Sequence, residues 1–441
     1  MRSGHEETFP HLCAFMLQES MKLESRTKIA HGRCVEPAKT IARLEPLIRA
    51  RHDYWLHEER VGEHFHWSAM FIDGLDFRSM GKGTTAEFSR AGAFAEGAEW
   101  LTAREVGELP GYVAAHERDV PGALAIASLV SHIATATPPV VEQIRALDEA
   151  WHWVDAFSLR DERWLKVPLE YVRQISGPNG KATGNFLEEA IVHATNEIFE
   201  RRAHVTVLRN RMIVPTIDIE TIRHPLIRAQ IEFVRRKGID VILKDLSFGG
   251  VLPCVGAYFC DRNVPDDFQF HHFFKVGASF DREEALIRTF TEFTQGRRAH
   301  EFINAAASDR DAQLAALLDH DFRRLRTEPD ESDNFMSAFM FGFVPYRRAD
   351  FLLEGDVVPF DRGPQYGDCL DDITHARAIC EALGKDYIVV DLTDPEIGFP
   401  VAQVIIPGYS DVLPFHPANS HGLFRRWTRA EVLRSYEPDA A

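Results

Sequence analysis

The sequence predicts an α+β protein in which mixed or antiparallel sheets are covered by helices. Three observations carry this. Apolar residues recur at helical spacing in several stretches and form short buried-looking runs elsewhere, so both element types are present. Several candidate strands are joined by connections too short for a crossover helix, which argues against a doubly wound parallel sheet. Apolar residues make up 45% of the 441-residue chain and charged residues 27%, an ordinary balance for a globular protein with a sizeable core. Length alone suggests about three domain-sized units, or one large domain with subdomains.

The first residues carry neither a basic n-region nor an apolar h-region, so no secretory signal is expected. No apolar run approaches ~18 residues, so no membrane span is expected either. Six cysteines, Cys13, Cys34, Cys254, Cys260, Cys369 and Cys380, include no Cys-x-x-Cys, and reduced thiols in a cytoplasm are the simplest account. A net charge of −17 argues against phosphate-backbone binding as the main task, so no nucleic-acid partner is expected.

Residues 36–60 read as an amphipathic helix with Ile41, Leu44, Leu47 and Ile48 on its apolar side. His64-Phe65-His66 and His271-His272 have no third metal ligand at a recognisable spacing and read as ordinary surface or interface histidines. Gly81-Lys82-Gly83 fails the Walker pattern, although such a turn before a helix can offer backbone N–H groups and an ammonium to an anion. Residues 103–150 read as mainly helical. Trp151 to Ile175 reads as a strand pair turning at Asp161-Glu162, and Gly177-Pro178-Asn179-Gly180 as a turn cluster.

A helix around 225–237 should stop at Gly238. Strands are expected near 241–243, 252–259 and 273–279, with Asp281 capping a further helix. Residues 327–334 read as an exposed acidic loop and 354–370 as irregular. A helix at 373–384 and strands at 387–391 and 401–406 follow.

Three helices share a charge pattern. In Thr183–Arg202, Gly184 breaks the chain, Asn185 can serve as N-cap, and Glu188 stands where a capping box would place it. Leu187, Ile191, Ala194 and Ile198 form one stripe, while Glu189, His193, Glu197 and Glu200 form another. A second helix places Gly92, Glu96 and Glu99 opposite Ala91, Phe94, Ala95 and Ala98. A third places Arg288, Glu292 and Gln295 opposite Leu286, Phe290 and Phe293. Helical spacing alone is equally consistent with solvated faces. If the three faces met, however, carboxylates 4 Å apart would repel by about 4 kcal/mol at an effective dielectric near 20, so convergence would call for a cation. Magnesium with a nucleotide phosphate suits such hard oxygen ligands.

The order Gly81-Lys82-Gly83, Glu96-x-x-Glu99, Gly184-Asn185-x3-Glu189-x7-Glu197-x-x-Glu200-Arg201, then Glu292-x-x-Gln295-Gly296-Arg297 resembles the YcaO family. The closing Val404 to Asp411 is similar to that family's C-terminal strand and Pro-Gly turn. The resemblance implies a YcaO-like catalytic domain over 71–415, made of several subdomains, between an N-terminal helical extension at 1–70 and a tail at 416–441. It also implies an ATP site without a Walker loop, set between the helices that bear the Glu-x-x-Glu motifs. By that resemblance Glu96, Glu99, Glu197 and Glu200 hold Mg2+ for catalysis. Asn185, Glu189, Arg201 and Arg297 bind nucleotide or phosphate, joined by Lys82, Glu292 and Gln295.

Family members activate a backbone amide of a peptide or protein for attack by a nucleophile, giving azolines or, with external sulfide, thioamides. They need no covalent nucleophile of their own. Azoline-forming members tend to carry a proline-rich tail, and the single proline in L-R-S-Y-E-P-D-A-A favours thioamide formation as the expectation. Gly92 and Trp100 stand where the family often has serine and arginine. The alternatives are an azoline-forming cyclodehydratase, a nucleotide-binding scaffold that assists modification of a ribosomal or other protein, and an unrelated carboxylate-rich metal hydrolase. A TfuA-like or E1-like companion, a sulfur donor and a homodimer are the partners the resemblance brings with it.

Overall fold

The computed structural model describes residues 20–73, 78–101, 103–130, 150–263, 271–305 and 350–411, with two short strands at 415–416 and 425–426. Helix α1, Pro37–Arg49, opens with proline in its first turn, where the missing N–H costs nothing, and buries Leu44 and Ile48. The helix expected over 36–60 ends there. Residues 54–62 form strand β1, Tyr54–Gly62, because their side chains alternate. Tyr54 and Leu56 join the core, while Trp55 points outward and stacks on Phe71 at 3.9 Å between ring centres. With β2, Phe65–Ile72, and β3, Arg78–Gly83, it makes a three-stranded antiparallel sheet. Helix α2, Ala86–Leu101, lies on that sheet.

Residues 103–130 hold strand β4, Val113–His116, and short 3-10 turns, with no α-helix. The helical expectation fails there because Pro110-Gly111 and Pro121-Gly122 interrupt the stretch, and both glycines adopt positive φ, 67° and 73°. The expected Trp151–Ile175 hairpin is present as β5, Ala150–Ser158, and β6, Arg163–Pro168, after which the chain turns into α3, Leu169–Ser176.

Next come β7, Lys181–Thr183, the central helix α4, Leu187–Arg209, β8, Thr216–Asp218, and α5, Pro225–Arg236, which stops before Gly238 at φ 75°. Strands β9, Ile239–Asp245, β10, Cys254–Asp261, and β11, His272–Ala278, lead to α6, Arg282–Ala305. Asp281 caps α6, its carboxylate accepting the N–H of Glu283 at 3.0 Å. The chain continues through β12, Val357–Pro359, α7, Cys369–Ala382, β13, Ile388–Asp391, β14, Val401–Ile405, and the pair β15, Phe415–His416, with β16, Arg425–Arg426. The acidic stretch 327–334 lies outside the described residues.

Two larger sheets organise these elements. One has the order β11-β10-β9-β8-β12 and is antiparallel except for the β8–β12 pair. The other has the order β4-β5-β13-β14-β7, with β6 on β5, and is antiparallel throughout. The fold is thus α+β with mixed and antiparallel sheets under helices. Helix α4 packs against β7, β14 and β11, so it is buried between the two large sheets. Its Ala190, Ile191, Ala194, Ile198 and Phe199 are fully buried. Each of the larger ones contributes about 1.5–3 kcal/mol of burial. Helix α6 covers the other face of the five-stranded sheet through Leu286, Phe290 and Phe293. The five described cysteines are free thiols. Among the described residues, no helix is long and apolar enough to cross a membrane.

Candidate active site

Helices α2, α4 and α6 bring their charged faces together around one cavity of about 310 Å3. Glu96 and Glu99 enter it from α2, Glu197 and Glu200 from α4, and Glu292 from α6. The basic residues around it are Lys82 at the end of β3, Lys181 on β7, Arg201 on α4 and Arg288 on α6.

Backbone amides and neighbouring charges fix the carboxylates in place. Glu96 accepts the N–H of Met80 at 2.6 Å, which ties α2 to β3. Glu197 accepts the N–H of Gly180 at 3.2 Å and a hydrogen bond from Arg201 at 2.6 Å. Lys82 forms an ion pair with Glu292, and Lys275 on β11 stands 3.8 Å from the same carboxylate.

Glycine allows the close approach of β3 and α2. A Cβ at Gly81 would collide with the carbonyl oxygen of Ser89 and the amide of Ala93, and one at Gly83 would stand 2.5 Å from Cβ of Phe88. Gly92 faces Gly81 across the same contact, with only 3.2 Å from its would-be Cβ to the Gly81 Cα. The motif Gly-Lys-Gly therefore serves helix–strand packing and holds Lys82 at the mouth of the cavity.

Burial governs the electrostatics. It pushes Glu99 up to about 8, with Glu197 and Glu96 adding to the rise and Lys181 opposing it. Glu200 is raised by burial too, against Arg288 and Lys82. Burial lowers Lys82 to about 8 although Glu200 draws it upward, and it lowers Lys275 to about 7 with Lys82 adding to the fall. About a third of the Lys82 side chain (32%) is open to solvent, but that surface faces the cavities. His193 is held well below its ordinary range by burial, then by Arg33, Arg288 and Lys82, so its ring is neutral. Protons and ion pairs partly balance this carboxylate cluster, and a divalent cation would complete the balance.

A second cavity of about 240 Å3 adjoins the first, and the two share Lys82, His193 and Arg288. Its walls are the 80–84 backbone, Gly92, Asn185, Glu189 and Arg33, with Val35, Pro37, Phe88 and Phe399 as apolar lining. One cleft thus runs from a half-apolar end to an acidic end.

Asn185 does not cap α4. The residue before the helix is Phe186, which makes no side-chain cap, while Asn185 takes a hydrogen bond from Thr40 at 3.1 Å and reaches Glu189 at 3.5 Å. Nor does Glu188 close a capping box, because its carboxylate accepts the N–H of Glu24 at 2.6 Å and pairs with Arg26 at 3.3 Å. Glu189 in turn accepts the N–H of Cys34 at 3.2 Å and pairs with Arg33 at 3.3 Å. A segment from before α1 thereby crosses the start of α4 and supplies Arg33 to the cleft.

Of the residues singled out in the sequence, Lys82, Glu96, Glu99, Glu197, Glu200, Arg201 and Glu292 line the acidic cavity, and Asn185 and Glu189 the adjoining one. Gln295 is half-buried on α6 and stands outside the lining of both. Arg297 lies on the same helix, but its side chain is outside the described residues. Trp100, the departure from the family's arginine, lines the acidic cavity with Lys181 Nζ 4.5 Å from its ring centre. Sequence reasoning did not assign roles to Arg33, Lys181, His193, Lys275 and Arg288. Arg288 and His193 carried a signal, since each continues a charged helical stripe already noted. Arg33 carried none, because chain crossing alone brings it to the site.

The donor set suits magnesium: carboxylate oxygens from two helices converge, and hard cations prefer oxygen ligands. The fold and the site together define an α+β protein with a carboxylate-lined place for a hard divalent cation beside a cleft of mixed polarity. The chain belongs to the YcaO family, whose model, described as a YcaO cyclodehydratase that binds ATP and Mg2+, matches residues 80–410. It is 25% identical over 259 residues to the ribosomal protein S12 methylthiotransferase accessory factor YcaO of Escherichia coli K12, a match covering 58% of this chain and 40% of that protein. The chain thus spans well under half the length of that relative. Two solved structures share the fold. A heterocyclase in complex with substrate and cofactor has a TM-score of 0.67 at 19% identity, covering 89% of this chain and 54% of the other. YcaO from Methanopyrus kandleri, bound with AMPPCP and Mg2+, has a TM-score of 0.60 at 18% identity, covering 88% and 95%.

Proposed function

We propose that this chain uses ATP and Mg2+ to activate a backbone amide of a peptide or protein for attack by a nucleophile. The observation that carries the reading is the convergence of Glu96, Glu99, Glu197, Glu200 and Glu292 on one cavity beside a cleft of mixed polarity. In this reading Glu96, Glu99, Glu197 and Glu200 hold magnesium against the phosphates. Lys82, Arg201 and Arg288 balance phosphate charge, while Asn185, Glu189 and Arg33 position the nucleoside end. Magnesium supplies neutralisation of the phosphate charge, and the residues supply a fixed, partly desolvated frame. Arg297, carried by the same helix as Glu292, would complete the proposed nucleotide contacts, whereas Gln295 stands outside the lining of both cavities.

In this reading the nucleophile comes from the substrate or from a separate donor. The first donor class to test is an external sulfur nucleophile, which would give a thioamide. A side chain of the substrate itself would give an azoline. A partner protein that presents the peptide or sulfur, and a homodimer, belong to the same proposal.

The test is phosphate release from Mg·ATP with candidate peptides, with mass spectrometry of the peptide. Peptide-dependent phosphate release with oxygen replaced by sulfur supports thioamide formation, and loss of one water supports azoline formation. Mg·ATP binding without turnover, with or without peptide and sulfide, would favour the scaffold reading.

A further inference from the structure

We propose that Cys260, His271 and His272 form a second metal site, suited to a borderline-soft divalent cation of the zinc class and distinct from the carboxylate cavity. One ligand atom from each of the three, a thiol sulfur and two ring nitrogens, lies within 4.8 Å of the other two. Cys260 on β10 is the direct antiparallel partner of His272 on β11, so the register delivers two ligands to one place. His271, one residue before β11, turns back so that its Nε2 stands 2.9 Å from Sγ of Cys260, and its ring centre is 4.4 Å from that of His272.

With Zn–S about 2.3 Å and Zn–N about 2.0 Å, ligand atoms around a tetrahedral zinc stand roughly 3.3–3.6 Å apart. The Cys260–His271 spacing of 2.9 Å lies just below that range, and no two of the three ligand atoms are more than 4.8 Å apart. Tyr258, on the same strand face as Cys260, hydrogen-bonds Nδ1 of His272 and stacks on its ring, which fixes the ring's orientation as the outer partners of metal-bound histidines do. Thiolate and imidazole donors select zinc over magnesium, so the two sites take different cations. Three ligands leave the fourth tetrahedral position to water or another group.

The site pins one end of the β10–β11 pair. Val276, which lines the acidic cavity, lies four residues further along β11, roughly 13 Å away at about 3.3 Å per residue.

The test uses the full chain, stripped with a chelator and reloaded with zinc or cobalt. One tightly held zinc per chain is expected, along with a thiolate-to-cobalt charge-transfer band and protection of Cys260 from alkylation by zinc. Cys260→Ser should abolish the band, His271→Ala should remove stoichiometric zinc, and Tyr258→Phe should weaken zinc binding 10–100-fold. All three variants should retain Mg-dependent nucleotide binding, which also reports that they fold. Sub-stoichiometric zinc in the wild type, cobalt bound without the band, or alkylation of Cys260 unaffected by zinc would overturn the proposal. All three are read on the wild-type protein and do not depend on any variant.

Discussion

Glu99 carries the sharpest pH signature in the site. With its acid strength weakened to about 8 by burial, it holds a proton at pH 7 before any cation arrives. Magnesium held by Glu99, as proposed, needs the ionised carboxylate, so its binding must displace that proton. Calorimetric titrations of magnesium nucleotide at pH 7, in buffers of different ionisation enthalpy, should therefore show net proton release that fades as the pH passes about 8 to 9. Buffer-independent heats across this range would contradict the placement of Glu99 at the cation. Glu99→Gln should lower the proton count and weaken magnesium binding together. At this scale the acidic residues were legible in the sequence, because Glu-x-x-Glu on a helix puts both carboxylates on one face. Lys181 and Lys275 were not. Each sits on a strand whose tertiary placement, rather than any local spacing, turns it towards the carboxylates.

At the scale of elements, the β3–α2 contact is the least forgiving part of the frame. Gly81→Ala forces a Cβ into the backbone of α2 and should cost about 1–3 kcal/mol or more, read as a drop in unfolding midpoint. Gly107→Ala meets nothing within 4 Å and should stay within about 0.5 kcal/mol. Equal effects of the two substitutions would refute the packing role given to Gly81. The segment that crosses α4 offers another check. Glu188→Ala removes the acceptor for the Glu24 N–H and the partner of Arg26, so hydrogen exchange at the Glu24 amide should accelerate markedly, while amides inside α4 keep their protection. Unchanged exchange at Glu24 would show that Glu188 does not hold the segment.

Helix periodicity foretold the positions of α2, α4 and α6, and the glycine stop foretold the end of α5. Other readings failed. The apolar pattern of 36–60 continued into a strand whose period of two was masked by a preceding helix. The cap assigned to Asn185 was pre-empted by its contact with Thr40, a partner 145 positions away in sequence.

Across the whole molecule, the acidic cavity couples folding to ligand and pH. The folded protein holds the Glu99 proton more tightly than the unfolded chain, whose glutamates titrate near pH 4.3. The folded state therefore binds more protons between that pH and about 8, so this group's contribution to stability falls as pH rises through the window. Magnesium nucleotide, by binding only the folded state, should offset the loss and raise the unfolding midpoint most at the alkaline end. A midpoint raised equally at pH 6 and pH 8.5 would speak against that coupling. The α+β class and the mixed sheets were readable from short strand connections. The order of strands in the two large sheets was not, since β7 pairs with β14, and β5 with β13, from positions more than 200 residues apart.

The carboxylate cavity on α2, α4 and α6 is proposed to hold a magnesium nucleotide. Calorimetric titration of a non-hydrolysable ATP analogue tests it most directly, with and without Mg2+, on the wild type and on Glu200→Gln. Binding should require magnesium and weaken by about 100-fold, near 2.7 kcal/mol, in the variant. Equal binding without magnesium, equal binding by the variant, or no binding by the folded wild type would contradict it.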